Sequence, residues 1–349
     1  MKKKELNSIM SQWERFYAEK GIESNVQSLY LDYVKGLLSK DLPPIFDFHH
    51  LCILLGIKDE VVATMVNGTE SFYRTFSIPK KSGGSRDISA PYPSLKYVQL
   101  WIYHNILKKL KTHVCAHGFA PNRSIISNVQ THLPNKCLLK IDLKDFFSTI
   151  RIEWIIQVFK SLGYEHHVAF YLASLCCCEG VLPQGAPTSP VLSNLTSIHL
   201  DRRLYRLAKR FNLVYTRYAD DIAFSGEILP VKIIEYATSI IEDCGLVVNK
   251  AKVRLYNEHG SKVLTGICLA NGQARLPREK RRELEKELHY IEKYGLDSHI
   301  RHNKIKDARY LESLIGRVGF WLQVEPDNLF AKKMKVMLQK ERQRRSVYK

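Results

Sequence analysis

Apolar positions along the chain change period several times, and each change marks a boundary. Val26, Leu29, Tyr33 and Leu37 recur at helical spacing, Pro43-Pro44 breaks the run, and two short apolar segments flank Gly56. Residues 1–68 are therefore expected to form a helical segment that caps the following domain. The period shortens to two over residues 71–78, and Pro79-Lys80-Lys81-Ser82-Gly83-Gly84 supplies the turn of a hairpin returning through Arg86, Asp87 and Ile88. Leu95, Val98, Ile102 and Ile106 restore helical spacing, and another helix is expected around Asn128-Val129-Gln130-Thr131-His132. Cys137-Leu138-Leu139-Lys140-Ile141-Asp142 reads as a buried strand that delivers an acid at its tip.

Helices are expected at about 151–162 and 165–178. Residues 182–190 (Leu182-Pro183-Gln184-Gly185-Ala186-Pro187-Thr188-Ser189-Pro190) hold too much proline and glycine for a regular element. They predict a shaped loop feeding a helix from near Val191, with Asn194, His199 and Asp201 on it. Val214-Tyr215-Thr216-Arg217 and Ile222-Ala223-Phe224-Ser225 then predict a hairpin whose turn, Tyr218-Ala219-Asp220-Asp221, carries two adjacent carboxylates. A helix over Ile233–Ile241, a short strand at Leu246-Val247-Val248, and a hairpin turning at Asn271-Gly272 come next. From Pro277 onward the period is helical again (Leu284, Leu288, Ile291; Leu311, Leu314, Val318). The order predicts an α+β chain: helices over 1–68, a mixed part over 69–276, and helices over 277–349.

Charge narrows the partners. The 349 residues carry a net charge of +18, which favours a polyanion. Residues 277–349 hold 19 Lys and Arg against 11 Asp and Glu, a difference of +8, so this basic helical end is the expected backbone-binding surface. No apolar run approaches the ~20 residues that span a bilayer, and no signal segment follows Met1-Lys2-Lys3-Lys4, so a cytoplasmic location without membrane attachment is expected. The eight cysteines lack paired metal-ligand spacing, and Cys176-Cys177-Cys178 reads as the packed end of a helix.

Adjacent acids repel unless a cation sits between them and something to be held. Asp142, Asp220 and Asp221, all at strand tips, are the ligand set that a two-metal phosphoryl-transfer site needs, since Mg²⁺ prefers carboxylate oxygen and keeps positions open for phosphate. The lysines and arginine of the 79–86 turn suit a triphosphate.

In this order, Phe146-Phe147 after Asp142, the 182–190 loop and Tyr218-Ala219-Asp220-Asp221 resemble the successive palm motifs of reverse transcriptases. Asn128-Val129-Gln130-Thr131-His132 is similar to the N-A-x-x-H motif of bacterial retron reverse transcriptases, with Val for Ala. Val263-Leu264-Thr265-Gly266 is similar to their V-T-G motif, with Leu at its first position. The resemblance implies a right-hand polymerase fold with fingers and palm over 69–276 and a thumb over 277–349. It implies that Asp142 and Asp220 bridge two Mg²⁺ ions, with Mn²⁺ as the alternative metal, and that Asp221 assists. Phe147 would be the steric gate against a ribose 2′-OH, Gln184 and Gly185 would line the incoming dNTP, and Arg86 with Lys80 or Lys81 would hold its triphosphate. Lys252 would protonate the leaving pyrophosphate, and Tyr218 would touch the primer end. The implied partners are a cognate msr-msd type RNA, which serves as template and 2′-OH primer, its branched DNA product, and a separate effector protein in anti-phage defence. Three rivals are weighed: a group II intron-like enzyme, for which no maturase extension is seen; an inactive RNA-binding subunit, in which the acids would have eroded; and an RNA-dependent RNA polymerase, which Phe147 disfavours.

Overall fold

The computed structural model describes residues 3–80, 83–258, 260 and 262–347; Lys81, one of the two candidate triphosphate lysines, lies outside the described residues. In chain order the elements are α1 (Lys3–Glu19), α2 (Ser24–Ser39), α3 (Phe48–Leu55), α4 (Asp59–Asn67), β1 (Tyr73–Pro79), β2 (Ser85–Pro91), α5 (Pro93–Asn105), α6 (Ile125–His132), β3 (Cys137–Asp142), α7 (Phe146–Thr149), α8 (Ile152–Leu162), α9 (His166–Cys176), α10 (Ser189–Thr196) and α11 (Ile198–Arg210). They continue with β4 (Val214–Tyr218), β5 (Asp221–Gly226), α12 (Ile233–Asp243), β6 (Arg254–Tyr256), β7 (Lys262–Leu264), β8 (Ile267–Ala270), β9 (Gln273–Arg275), α13 (Arg278–Tyr294), α14 (Leu296–His302), α15 (Tyr310–Val324) and α16 (Leu329–Val347).

The chain divides into two compact units. One comprises Met1–Ala120, Leu143–Leu204 and Glu235–Val248; the other comprises Pro121–Asp142, Tyr205–Ile234 and Asn249–Lys349. In the first unit, α4, α5 and α8 pack on α9, and β1 pairs antiparallel with β2. Asp47 caps α3 by accepting from the His50 amide at 2.7 Å, and left-handed Gly56 ends it. α2 is where its periodicity placed it, but its buried residues are Val34 and Leu37, while Val26 and Leu29 are exposed. Cys176 ends α9 in full burial, which pushes its thiol up to about 12, consistent with packing rather than thiolate chemistry.

The second unit holds a four-stranded antiparallel sheet in the order β4-β5-β3-β6 and a three-stranded sheet in the order β7-β8-β9. Val129 of α6, Leu138 of β3, Ala223 of β5, Ile267 and Leu269 of β8, and Leu288, Leu314, Trp321 and Leu338 of the last helices share one apolar core. Burying such side chains contributes about 1.5–3 kcal/mol each.

The structure corrects four expectations drawn from the sequence. The helix expected from Val191 begins at Ser189, with Pro190 in its first turn, where a missing amide costs nothing. It stops at Thr196, so His199 and Asp201 lie on α11 rather than with Asn194. The hydroxyls of Ser193, Thr196 and Ser197 bond back to the Pro190, Leu192 and Ser193 carbonyls and compete with the helical amides there. Leu246-Val247-Val248 is not a strand but a single bridge from Val248 to Leu143. The 263–269 run is split by a two-residue turn at Thr265-Gly266, whose φ values of 46° and 80° resemble those of Asn271-Gly272 at 51° and 70°.

Candidate active site

The acids are placed by register. β3 pairs antiparallel with β5 so that Asp142 is the cross-strand partner of Asp221, and β5 pairs with β4 so that Tyr218 faces Asp221 across the turn. Two carboxylates that lie 79 residues apart in the chain thus end adjacent strands, with Asp220 beside them in the turn. Like charges directly opposite each other in a sheet are destabilising, and here each has a cationic partner. Lys252 Nζ lies 2.8 Å from Asp142 Oδ1, and Lys140 Nζ lies 2.9 Å from Asp221 Oδ1. Asn249 also donates its side-chain amide to Asp142 Oδ1 at 3.2 Å and its backbone amide to the Asp142 carbonyl at 2.8 Å.

Burial, reinforced by the charges of Asp221 and Asp142, holds the Asp220 carboxyl above its ordinary value. The hydrogen bond to Asp142 raises Lys252, which keeps its ammonium charged at neutral pH. Among the described residues no group of three or more His, Cys, Asp and Glu side chains converges as a ready-made metal cage. In the structure Asp142 is ion-paired with Lys252 and Asp221 with Lys140. The donor chemistry nevertheless suits a hard divalent cation: all three groups are carboxylates, and Asp220 feels the charges of both others.

Behind the turn lies a chain of buried hydrogen bonds that joins α6 to both strands of the hairpin. Asn135 Nδ2 donates to Ser225 Oγ at 2.8 Å, His132 Nδ1 lies 2.6 Å from Ser225 Oγ, His132 Nε2 lies 2.7 Å from Thr216 Oγ1, and Thr216 Oγ1 donates to Asn128 Oδ1 at 2.5 Å. Because Thr216 gives its proton to Asn128, it accepts from His132 Nε2. Asn128, His132, Thr216 and Ser225 are all buried. Arg217, also fully buried, donates from Nη1 to the Ala219 carbonyl at 3.1 Å and supports a turn residue held at φ 55°, where a side chain costs about 1–2 kcal/mol.

The other residues singled out from the sequence lie in the first unit. Phe147, on α7, is partly buried and contacts Phe146 and Phe119, with ring centroids at 5.5 and 6.2 Å. Lys80 and Arg86 are exposed at the end of the β1–β2 hairpin, where the Lys80 amide bonds to the Gly84 carbonyl at 3.0 Å. The 182–190 loop leans on that hairpin, since Ser89 donates its amide to the Gln184 carbonyl at 3.0 Å. Gly185 has φ 137°, and a Cβ there would stand 2.7 Å from the Ser89 carbonyl oxygen. Gly185→Ala should therefore cost about 1–3 kcal/mol in backbone strain alone. It should lower the denaturant midpoint and raise the KM for dNTP in primer extension; an unchanged KM would separate this loop from nucleotide binding.

Sequence reasoning missed Lys140 and Asn249. Lys140 could have been found from strand period, because it lies two residues before Asp142 and so on the same face. Nothing local marked Asn249, whose role depends on the chain returning beside Asp142.

An antiparallel sheet that presents one acid on a strand tip beside a two-acid hairpin defines the palm of a nucleic-acid polymerase. Residues 78–291 match the family described as reverse transcriptase (RNA-dependent DNA polymerase), and the chain belongs to that family, with its right-hand polymerase fold and RNA-directed DNA polymerase activity. Within it the chain falls among the retron reverse transcriptases. It is 34% identical over 254 residues to the retron Ec86 reverse transcriptase of Escherichia coli, covering 72% of this chain and 79% of that one. It is 37% identical over 237 residues to the retron Mx65 reverse transcriptase of Myxococcus xanthus, covering 62% of this chain and 55% of that protein, so it spans little more than half of that relative. Among solved structures, telomerase from Candida albicans, in complex with a fragment of telomeric RNA, matches at TM-score 0.43 and 10% identity, covering 77% of this chain and 63% of that one. No helix among the described residues is long and apolar enough to cross a membrane.

Proposed function

We propose that the chain copies a cognate msr-msd type RNA into DNA from a 2′-OH of that same RNA, yielding branched RNA-linked single-stranded DNA. The observation that carries the reading is the joining of the Asn128–His132 motif to the catalytic hairpin through Thr216 and Ser225. It supports reading the retron-like segment as part of the polymerase centre. Asp142 and Asp220 would hold two divalent ions, Mg²⁺ or alternatively Mn²⁺, with Asp221 assisting. Bound there, such ions would activate the attacking hydroxyl and neutralise the leaving phosphate.

The protein's own groups account for the rest. Lys252 Nζ, ion-paired with Asp142, would give a proton to departing pyrophosphate. Arg86, with Lys80 or Lys81, would grip the triphosphate, Gln184 and Gly185 would line the nucleotide, and Phe147 would reject a ribose 2′-OH. In this reading residues 1–68 are a helical cap, 69–276 fingers and palm, and 277–349 an RNA-binding thumb. The protein would work in the cytoplasm beside a separate effector in anti-phage defence.

The test is to incubate the purified chain with dNTPs, Mg²⁺ and a transcript of the DNA immediately upstream of its gene. The expected product is DNA covalently attached to that RNA, shifting on a denaturing gel after RNase treatment. DNA made only from added primers would overturn the reading.

A further inference from the structure

We infer that a cavity within the C-terminal helices is a subsite for one unstacked nucleotide of the bound RNA. The inference rests on the reading of the thumb as an RNA surface and specifies what one part of that surface takes. The cavity has a volume of about 750 Å³, which admits a nucleotide, and it lies between α13, α14 and α15.

Its floor is already hydrogen-bonded. Glu287 accepts from Arg317 Nη1 and Nη2, each at 2.7 Å, and from the Tyr310 hydroxyl. Tyr310 also lies 2.9 Å from His299 Nε2, and the His299 and Tyr310 rings stack at 16°. Burial alone would push the Glu287 carboxyl up, but the Arg317 and Tyr310 hydrogen bonds outweigh it and hold the group below its ordinary value, so the floor stays ionised.

The wall is unlike the floor. Tyr290 and Tyr294, one helical turn apart on α13, are 44% and 56% exposed, and their rings lie at 20° with centroids 6.2 Å apart. Two nearly parallel, half-exposed aromatic faces in a concavity leave apolar surface in water that a flat ring would cover. Hydrogen-bonding groups, among them Glu283, also line the cavity, and the basic Lys286 stands with them. Arg301, Lys304 and Lys306, on and just after α14, are exposed as well.

Aromatic faces with a lysine beside them are a combination that binds single-stranded nucleic acid: the rings stack on bases and the cation meets a phosphate. A nucleobase also has an edge of donors and acceptors for groups such as Glu283, which an aliphatic or lipid occupant would leave unpaired. A base inside a duplex has both faces covered by its neighbours, so stacking on these rings favours an unpaired nucleotide.

The test uses the full chain and two fluorescein-labelled RNAs, a hairpin with an unpaired loop and a blunt duplex with the same stem. Tyr290→Ala plus Tyr294→Ala should weaken hairpin binding by about tenfold or more and leave duplex binding nearly unchanged, with Tyr→Phe at both positions retaining hairpin affinity. Photocrosslinking of a 4-thiouridine placed in the loop should label the peptide containing Tyr290 and Tyr294. Equal binding of the hairpin by the variant, or an equal loss on both RNAs, would overturn the inference, as would a loop crosslink elsewhere. If the chain binds both RNAs with the expected contrast but makes no linked DNA from the upstream transcript, the cavity stands and the proposed function falls.

Discussion

Replacing Asp220 and Asp221 together by alanine should reduce DNA synthesis on an RNA template by ~10³-fold or more while leaving the chain folded. Synthesis within tenfold of the unaltered chain would overturn the assignment of these acids. The fold should survive because the acids oppose it more than they support it. Asp220 is held above its ordinary value by burial and by two neighbouring carboxylates. A carboxyl raised in this way favours the folded state only while protonated, and its contribution is lost as pH rises through the raised value. Asp220→Asn should therefore raise the melting temperature of the metal-free protein at neutral pH, and do so much less near pH 4. Thermal melts in a chelator at the two pH values would show the difference. Lys140 loses its partner in the double variant, which costs at most about 1 kcal/mol for a side chain already 25% exposed.

Substituting His132 should be as damaging, by a different route. His132→Ala removes a buried ring and two hydrogen bonds that tie β4 to β5 through one side chain. The lost packing and the weakened Thr216 and Ser225 pairing should together cost about 2–4 kcal/mol, read as a lower denaturant midpoint. Thr216 keeps Asn128 and Ser225 keeps Asn135, so the sheet should still form. The turn between the strands should shift, and a displacement of about 1 Å at a reacting centre can lower kcat by ~10²-fold. The measurement is primer extension on a homopolymer template at saturating dNTP, beside the equilibrium unfolding curve. Full kcat with reduced stability would confine His132 to packing.

Much of the palm was legible because the local signals agree. Alternating apolar runs on either side of two acids specify the β4–β5 hairpin, and the run ending at Asp142 specifies β3. What a single sequence does not carry is register. Only the β3–β5 pairing makes Asp142 and Asp221 neighbours, and only the return of the chain at Asn249 completes the surroundings of Asp142. The Thr265-Gly266 turn was hidden because a β-branched residue is disfavoured at positive φ, so the run read as one strand. The break between α10 and α11 was hidden because it comes from hydroxyls competing for carbonyls rather than from proline or glycine. On α2 the helical period was readable but the buried stripe was not, since neighbouring elements decide which side is covered.

The two lysines beside the acids bear on how the enzyme can be kept. In a zinc finger the metal supplies the folding energy, and its removal unfolds the domain. Here the chain's own cations, Lys140 and Lys252, already pair with Asp221 and Asp142. Melting curves recorded with and without a chelator should therefore coincide.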